Sequence, residues 1–248
     1  MKYLIFILAI VTLVACRSNS FEKSPVDNLV RDMTDVPEYS IILYDMDQEG
    51  NFYPEYKHQY RIIKDTNDAD SIPEEEITAW YTVSENFFNQ HIDNMGMEIV
   101  SKSRDGEISK TPAPPGYSNY VGNPQYGQWQ QGAGGETFWS FYGKYALLSS
   151  LFNMAAFPVR RSYYDDYRGY RSSGRPYYGP TVDNRRAYGT NSRYTTTTKP
   201  NTTWRTRTPS RDFRSSNQRT SRASSRYSGS STSSSSSSRS RSSGGFGK

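Results

Sequence analysis

Tyr39-Ser40-Ile41-Ile42-Leu43-Tyr44, followed after Gly50-Asn51 and Pro54 by the run Tyr56 to Ile63, is the stretch on which the fold turns. β-Branched and aromatic side chains suit a pleated, half-buried surface, and two such runs separated by Gly, Asn and Pro read as an antiparallel hairpin. Toward the C-terminus, Ile77 to Val83 is a third strand. Ser84 then caps a helix that carries Phe87, Phe88, His91 and Ile92 and stops at Gly96. Met97 to Val100 and Glu107 to Ser109, joined around Asp105-Gly106, form another hairpin. Toward the N-terminus, Ser24-Pro25 opens a short helix with Val26, Leu29, Val30 and Met33, and Asp27 sits near its positive end. Strands and helices do not alternate as βαβ units, so the class is α+β: a small mixed domain with antiparallel hairpins.

Residues 112–136 read as a long loop rich in Pro, Gly, Asn, Gln and aromatics. Thr137 to Phe157 reads as a C-terminal apolar helix, because Phe138, Phe141, Tyr142, Tyr145, Leu148, Phe152 and Ala155 fall on one face at the 3.6-residue period. No Leu, Ile or Met follows Met154, and residues 210–243 hold 18 Ser, including the run Ser233 to Ser238, with Arg interspersed. Without those aliphatic types, burial has little to set against about 1–2 kcal/mol of backbone entropy per ordered residue. The expected division is therefore a domain over 24–157 and a disordered basic tail over 158–248, rich first in Tyr, Arg and Gly and then in Ser and Arg.

The whole chain has 248 residues, of which 34% are hydrophobic and 21 are Tyr, with one Cys and two His. That excludes a polytopic membrane protein, a disulfide scaffold and a metal cluster built on His. Residues 1–158 carry 11 Lys/Arg against 21 Asp/Glu, and residues 159–248 carry 19 against 4. Two parts so opposed in sign point to different tasks.

Lys2 precedes an apolar run from Tyr3 to Ala15 that is too short for a bilayer, which takes about 20 residues. A positive end, a compact apolar stretch and small residues before a cut describe an export signal over 1–15. Leu13-Val14-Ala15-Cys16 resembles the lipobox of bacterial lipoproteins. The resemblance implies that Cys16 is the lipidated first residue of the mature chain, with 16–23 as a tether. One acyl chain anchors weakly at about 0.8 kcal/mol per buried CH₂, so stable attachment takes the several chains that such processing supplies. By the same resemblance, Arg17 lacks the Asp of inner-membrane retention, which points to the outer membrane, periplasmic face, in a cell that has one, and otherwise to the outer face of the cell membrane.

Three sets of residues are candidates for chemistry. Asp45, Asp47 and Glu49, with Gly50 and Phe52, resemble the first half of an EF-hand calcium loop, since Ca²⁺ takes several oxygen ligands at that spacing. Tyr56 stands where the loop needs its bidentate Glu, and a solvated acidic turn is the competing reading. Tyr117, Tyr120, Tyr126 and Trp129 in the long loop could stack on sugar rings, or fold back on the domain. His58 reads as a solvent-facing strand residue and His91 as packing beside Phe87 and Phe88. Glu74, Glu75 and Glu76 read as a solvated run. No nucleophile–base pairing is visible, so no catalytic residue and no cofactor beyond the lipid on Cys16 is assigned. Arg with interleaved Tyr suits polyanions, but the export signal turns that reading from nucleic acid to anionic envelope polymers.

Tyr39 to Asp47, Pro115-Gly116-Tyr117-Ser118-Asn119-Tyr120 and Phe141-Tyr142-Gly143-Lys144-Tyr145 together resemble an uncharacterised family of bacterial envelope lipoproteins. The expectation is a lipid-anchored cell-envelope protein with a non-catalytic binding or scaffolding role, whose basic tail contacts anionic envelope polymers or partner proteins. The alternative is an envelope enzyme acting on glycans.

Overall fold

The computed structural model describes residues 24–50, 53–66, 71–182 and 184–207. Its centre is one antiparallel sheet. The long strands β1 (Glu38–Glu49) and β2 (Glu55–Asp65) pair along their whole length, from Glu38 opposite Asp65 to Glu49 opposite Glu55, with one register shift between Leu43 and Asp45. β5 (Glu98–Lys102) pairs with the other edge of β1 and carries β6 (Ile108–Ser109). The third expected strand is two pieces, β3 (Glu74–Ile77) and β4 (Tyr81–Val83), both paired with β2. Between them the Thr78 side chain takes over a ladder position, accepting the Tyr60 backbone N–H at 3.1 Å while its own N–H donates to the Tyr60 carbonyl at 2.9 Å.

Both predicted caps are present. Ser24 accepts the Asp27 N–H ahead of α1 (Pro25–Asp32), and Ser84 accepts the Phe87 N–H ahead of α2 (Glu85–Gln90). Side chains alternate across β1. Tyr39, Ile41 and Leu43 are buried on one face, with Tyr60 and Ile62 from β2. Ile42 and Ile63 are buried on the other face, against a core made largely of tyrosine.

That second core corrects two expectations. Thr137 to Phe157 is not a continuous helix. Its first third is strand β8 (Thr137–Phe141), paired with β7 (Gly127–Gln131) so that Trp129 and Trp139 stand opposite each other with ring centroids 5.2 Å apart. A 3₁₀ turn (Gly143–Tyr145) leads into the short α3 (Ala146–Leu151), and Asn153 at φ 53° ends it. Aromatic spacing at 3.6 residues coincided with a strand, a turn and a helix, because Phe, Trp and Tyr favour strands as readily as they mark a helix face.

The second correction concerns residues 158–207, which fold instead of forming a tail. They supply α4 (Arg161–Ser172), the hairpin β9 (Thr181–Val182) and β10 (Arg185–Arg186), α5 (Arg193–Thr198) and α6 (Thr203–Arg207). The absence of Leu, Ile and Met is offset by Tyr167, Tyr177, Tyr188, Tyr194 and Trp204, all buried. Each aromatic of that size removes roughly 150–250 Å² from water. Charge helps as well: residues 24–158 carry 8 Lys/Arg against 20 Asp/Glu, and residues 159–207 carry 11 against 3. The compact unit extends through Arg207; the expectations for residues 1–23 and 208–248 lie outside the described residues. Among the described residues no helix is long and apolar enough to cross a membrane.

Candidate functional site

The tyrosine core closes over ionisable groups. Glu38 and Asp65, opposite each other across β1 and β2, are both buried. The Tyr126 hydroxyl donates to Glu38 at 3.0 Å and also to Asp65, and the Arg104 guanidinium pairs with both, lying 3.4 Å from Glu38. Burial pushes the Glu38 carboxyl up to about 7, with the Asp65 charge adding to the effect. Glu98 on β5 is 1% exposed. The hydroxyls of Ser118 and Ser40 and the Gly116 backbone lie near its carboxyl, yet no hydrogen bond of good geometry reaches either oxygen, and burial pushes it up to about 7. A neutral acid is the form such a site tolerates. Gly116 at φ +81° lets the chain pass against the Phe152 ring, which a Cβ there would meet. All three acids, Glu38, Asp65 and Glu98, thus lie in the interior.

On the other face the two histidines come together, with ring centroids 6.3 Å apart. His58 is fully buried, which corrects the solvent-facing assignment: the ring lies against Phe88, Phe87 and Tyr60, and its Nδ1 is 3.2 Å from the Tyr60 hydroxyl. Burial, reinforced by His91, holds His58 down near 3. Burial alone takes His91 to about 4. The packing role read for His91 fits its ring contact with Phe87 at 4.7 Å. Glu74, Glu75 and Glu76 are exposed on β3, where Glu75 and Glu76 make cross-strand ion pairs with Arg61 at 2.8 Å and with Lys64 at 2.7 Å.

The calcium candidates do not converge. Asp45 caps α6, accepting the Thr203 N–H at 2.8 Å and the Met46 N–H at 2.8 Å. Asp47 accepts the Gln48 N–H at 2.9 Å, and Glu49 pairs with Lys57 at 2.8 Å. Among the described residues no group of three or more His, Cys, Asp or Glu is placed to hold a metal ion. The aromatic candidates are also spent internally. Tyr117, Tyr120 and Tyr126 are buried, their faces covered by other rings, including Tyr167 on Tyr117, Phe152 on Tyr120 and Tyr145 on Tyr126. Trp129 is half-buried between Trp139, Tyr164 and the Arg161 guanidinium. Of the alternatives open to that loop, folding back is the one realised. Cys16 lies outside the described residues.

The open site is elsewhere, in the segment expected to lack structure. A pocket of about 670 Å³ is walled by Arg160, Arg185, Arg186 and Arg193 over a floor that includes Phe157 and Pro158. Among the described residues no Asp, Glu, His, Cys or Lys lines it. Arg160 pairs with Glu136 at 2.7 Å, and Arg186 lies over the Tyr178 ring at 4.3 Å. Arg185 and Arg193 are exposed and make no ion pair among the described residues. Sequence reasoning named none of these arginines as a site. The one available signal was the Arg-Arg pair at 185–186 beside Tyr177-Tyr178, which reads equally well as a solvated basic stretch. The chain matches no family model, no curated protein and no solved structure.

Proposed function

We propose that this is a lipid-anchored protein of the bacterial cell envelope that binds anionic envelope components without transforming them. The observation that carries the reading is the pocket with four arginine walls, in which Asp, Glu, His, Cys and Lys are absent from the described lining and the hydroxyls of Tyr163, Tyr188 and Thr196 have no base beside them there to activate them. Fixed guanidinium groups over an apolar floor hold an anion by charge and shape. The Leu13-Val14-Ala15-Cys16 motif supports the anchor, and the 8 Lys/Arg against 1 Asp in residues 208–248 support a second, less selective contact with anionic polymers. The enzymatic alternative draws less support, since Glu38 and Asp65, the paired carboxylates at hand, are sealed by Arg104 and Tyr126.

The test joins the two halves of the reading. Cells expressing the full chain or Cys16→Ala are labelled with a fatty-acid probe, and envelopes are crosslinked and pulled down from full-length chains and from chains ending at Arg207. The expected result is that the Cys16→Ala protein loses label and membrane retention, while both lipidated forms capture anionic envelope material. Unchanged labelling of the mutant would remove the anchor, and capture that tracks neutral components would remove the binding role.

A further inference from the structure

The chemistry of the pocket narrows its ligand beyond a general anion, and this narrower assignment rests on the binding role proposed above. We infer that the pocket takes a phosphate ester carrying an apolar group, with the phosphate held by Arg185 and Arg193 and the apolar group on Phe157, Pro158, Pro180 and Val182.

Three observations lead there. The first is valence. Arg160 is already neutralised by Glu136 and Arg186 is committed to the Tyr178 ring, which leaves two guanidinium groups for a ligand. Two forks with several N–H donors each suit a dianion with three terminal oxygens better than a single carboxylate with two. The second is the floor. Val182 stays 59% exposed although the Tyr188 ring that lines the same pocket is buried. Phe157 and Pro158 extend the same apolar surface inside the pocket. An inorganic anion would use none of that area, whereas each buried CH₂ of an ester group contributes about 0.8 kcal/mol. The third is mounting. Arg185 sits on β10, hydrogen-bonded to β9, and Arg193 opens α5, whose cap is the Ser192 hydroxyl accepting the Thr195 N–H at 3.2 Å. Thr195 in turn lies 2.7 Å from the Gly189 carbonyl and 3.2 Å from that of Met95. The base of Arg193 is thus tied to the segment that leads into β5, and preorganised donors lose less entropy on binding.

The shared chemistry, a phosphate monoester on an apolar group, could belong to a phospholipid headgroup or to a free phosphate ester. The experiment uses the full-length protein in a non-ionic detergent. Titration calorimetry with inorganic phosphate, hexyl phosphate and hexanol is followed by flotation of the protein with phosphatidylcholine vesicles with and without phosphatidic acid. Two double variants are compared at equal charge: Arg185→Gln with Arg193→Gln in the pocket, and Arg219→Gln with Arg222→Gln beyond the described residues. Hexyl phosphate is expected to bind at least about tenfold more tightly than inorganic phosphate, and the pocket variant to lose at least about tenfold, the effect of roughly 1.4 kcal/mol in one charge-assisted contact. The tail variant should keep its affinity. Binding of hexyl phosphate with enhanced vesicle flotation assigns the lipid source; binding without it assigns a free ester. Equal losses in both variants, or no preference over inorganic phosphate, would overturn the pocket while leaving general anion binding in place. No binding of any phosphate probe by the unmodified protein would remove both.

Discussion

The two faces of the central sheet are covered by different materials. On one side the aliphatic Ile41, Leu43, Ile62 and Val100 and the thioether of Met46 are interleaved with Tyr39, Tyr60, Phe88 and Trp204. On the other, Tyr117, Tyr120, Tyr126, Tyr145, Tyr167 and Tyr177 pack ring against ring at centroid distances mostly between 5.0 and 6.4 Å. An aliphatic side chain brings area and nothing else. A tyrosine brings more area, and with it a hydroxyl that must find a partner or go without. Here some succeed: Tyr126 serves two carboxylates, and Tyr167 donates to the Ser118 hydroxyl at 3.2 Å. Others do not, since the buried hydroxyls of Tyr39, Tyr120 and Tyr177 have no hydrogen-bond partner among the described residues. A core of this kind therefore stores both gains and liabilities at single atoms, and substitutions can separate them.

The largest effect should come from removing residues 158–207, which supply Tyr167 and Tyr177 to the tyrosine core and Trp204 to the face that carries Phe88 and His58. A chain ending at Phe157 loses Tyr167, Tyr177, Tyr188, Tyr194 and Trp204. At about 1.5–3 kcal/mol for each large buried side chain, the loss is comparable to the ~5–15 kcal/mol that holds a typical domain together. It should fail to show a cooperative thermal transition, while a chain ending at Arg207 melts within a few degrees of full length. A cooperative melt from the shorter chain would mean that the aliphatic face folds alone.

A smaller effect separates two neighbouring hydroxyls whose rings lie 5.0 Å apart. Tyr126→Phe leaves the Glu38 and Asp65 carboxyls short of a donor and should cost about 1–3 kcal/mol. Tyr120→Phe removes a hydroxyl without a partner among the described residues and should be neutral or mildly stabilising. Urea unfolding of both variants measures the gap, and equal costs would show that ring packing alone matters on that face.

The smallest effect is one of slope. His58 on the aliphatic face is held neutral down to about pH 3, so between pH 3 and 6.5 the unfolded chain binds a proton there that the folded chain does not. Stability from that site therefore rises with pH across the window. Glu98, on the tyrosine face, keeps its proton up to about 7 when folded but loses it near 4.5 when unfolded. Its contribution is complete below 4.5 and is lost as pH rises toward 7. Subtracting the stability of His58→Phe or Glu98→Gln from that of the parent, at each pH, should give curves of opposite slope between pH 4.5 and 6.5. Parallel curves would show that one of the two groups is solvated in the folded state.

The same contrast explains what could be read from the sequence. Ile41, Leu43, Ile62 and Ile63 announce a sheet because aliphatic residues have one preference, and Ser24 and Ser84 announce helices because a cap makes a local bond. Tyr163-Tyr164 and Tyr177-Tyr178 announce little, because tyrosine is at home on a surface, in a core or in a disordered segment. His58 looked solvent-facing for a related reason: polar residues in an alternating strand are taken to face water, and the Phe87 and Phe88 rings that cover it come from a helix later in the chain. Asp45 resembled a metal ligand because its actual partner, the Thr203 N–H, lies 158 residues away. The arginine pocket was hidden for another reason, since its parts meet only in the folded chain. It is assembled from Arg160, a hairpin and α5, and no local pattern links the three.

The bond between Asp45 and Thr203 also sets an order of events. A chain that appears from its N-terminus makes β1 almost at once, yet Asp45 cannot reach its partner, nor the Tyr44 carbonyl accept from the Lys199 amine at 2.6 Å, until some 160 further residues have followed. Pairings at such long sequence separation make a fold slow to close, because the entropy of the intervening loop is lost before the contact is gained. The compact unit should therefore stay open until residues 199–203 have followed β1, and lock late. Under the export proposed above, that delay keeps the chain open for passage, and it is written into the distance between β1 and α6.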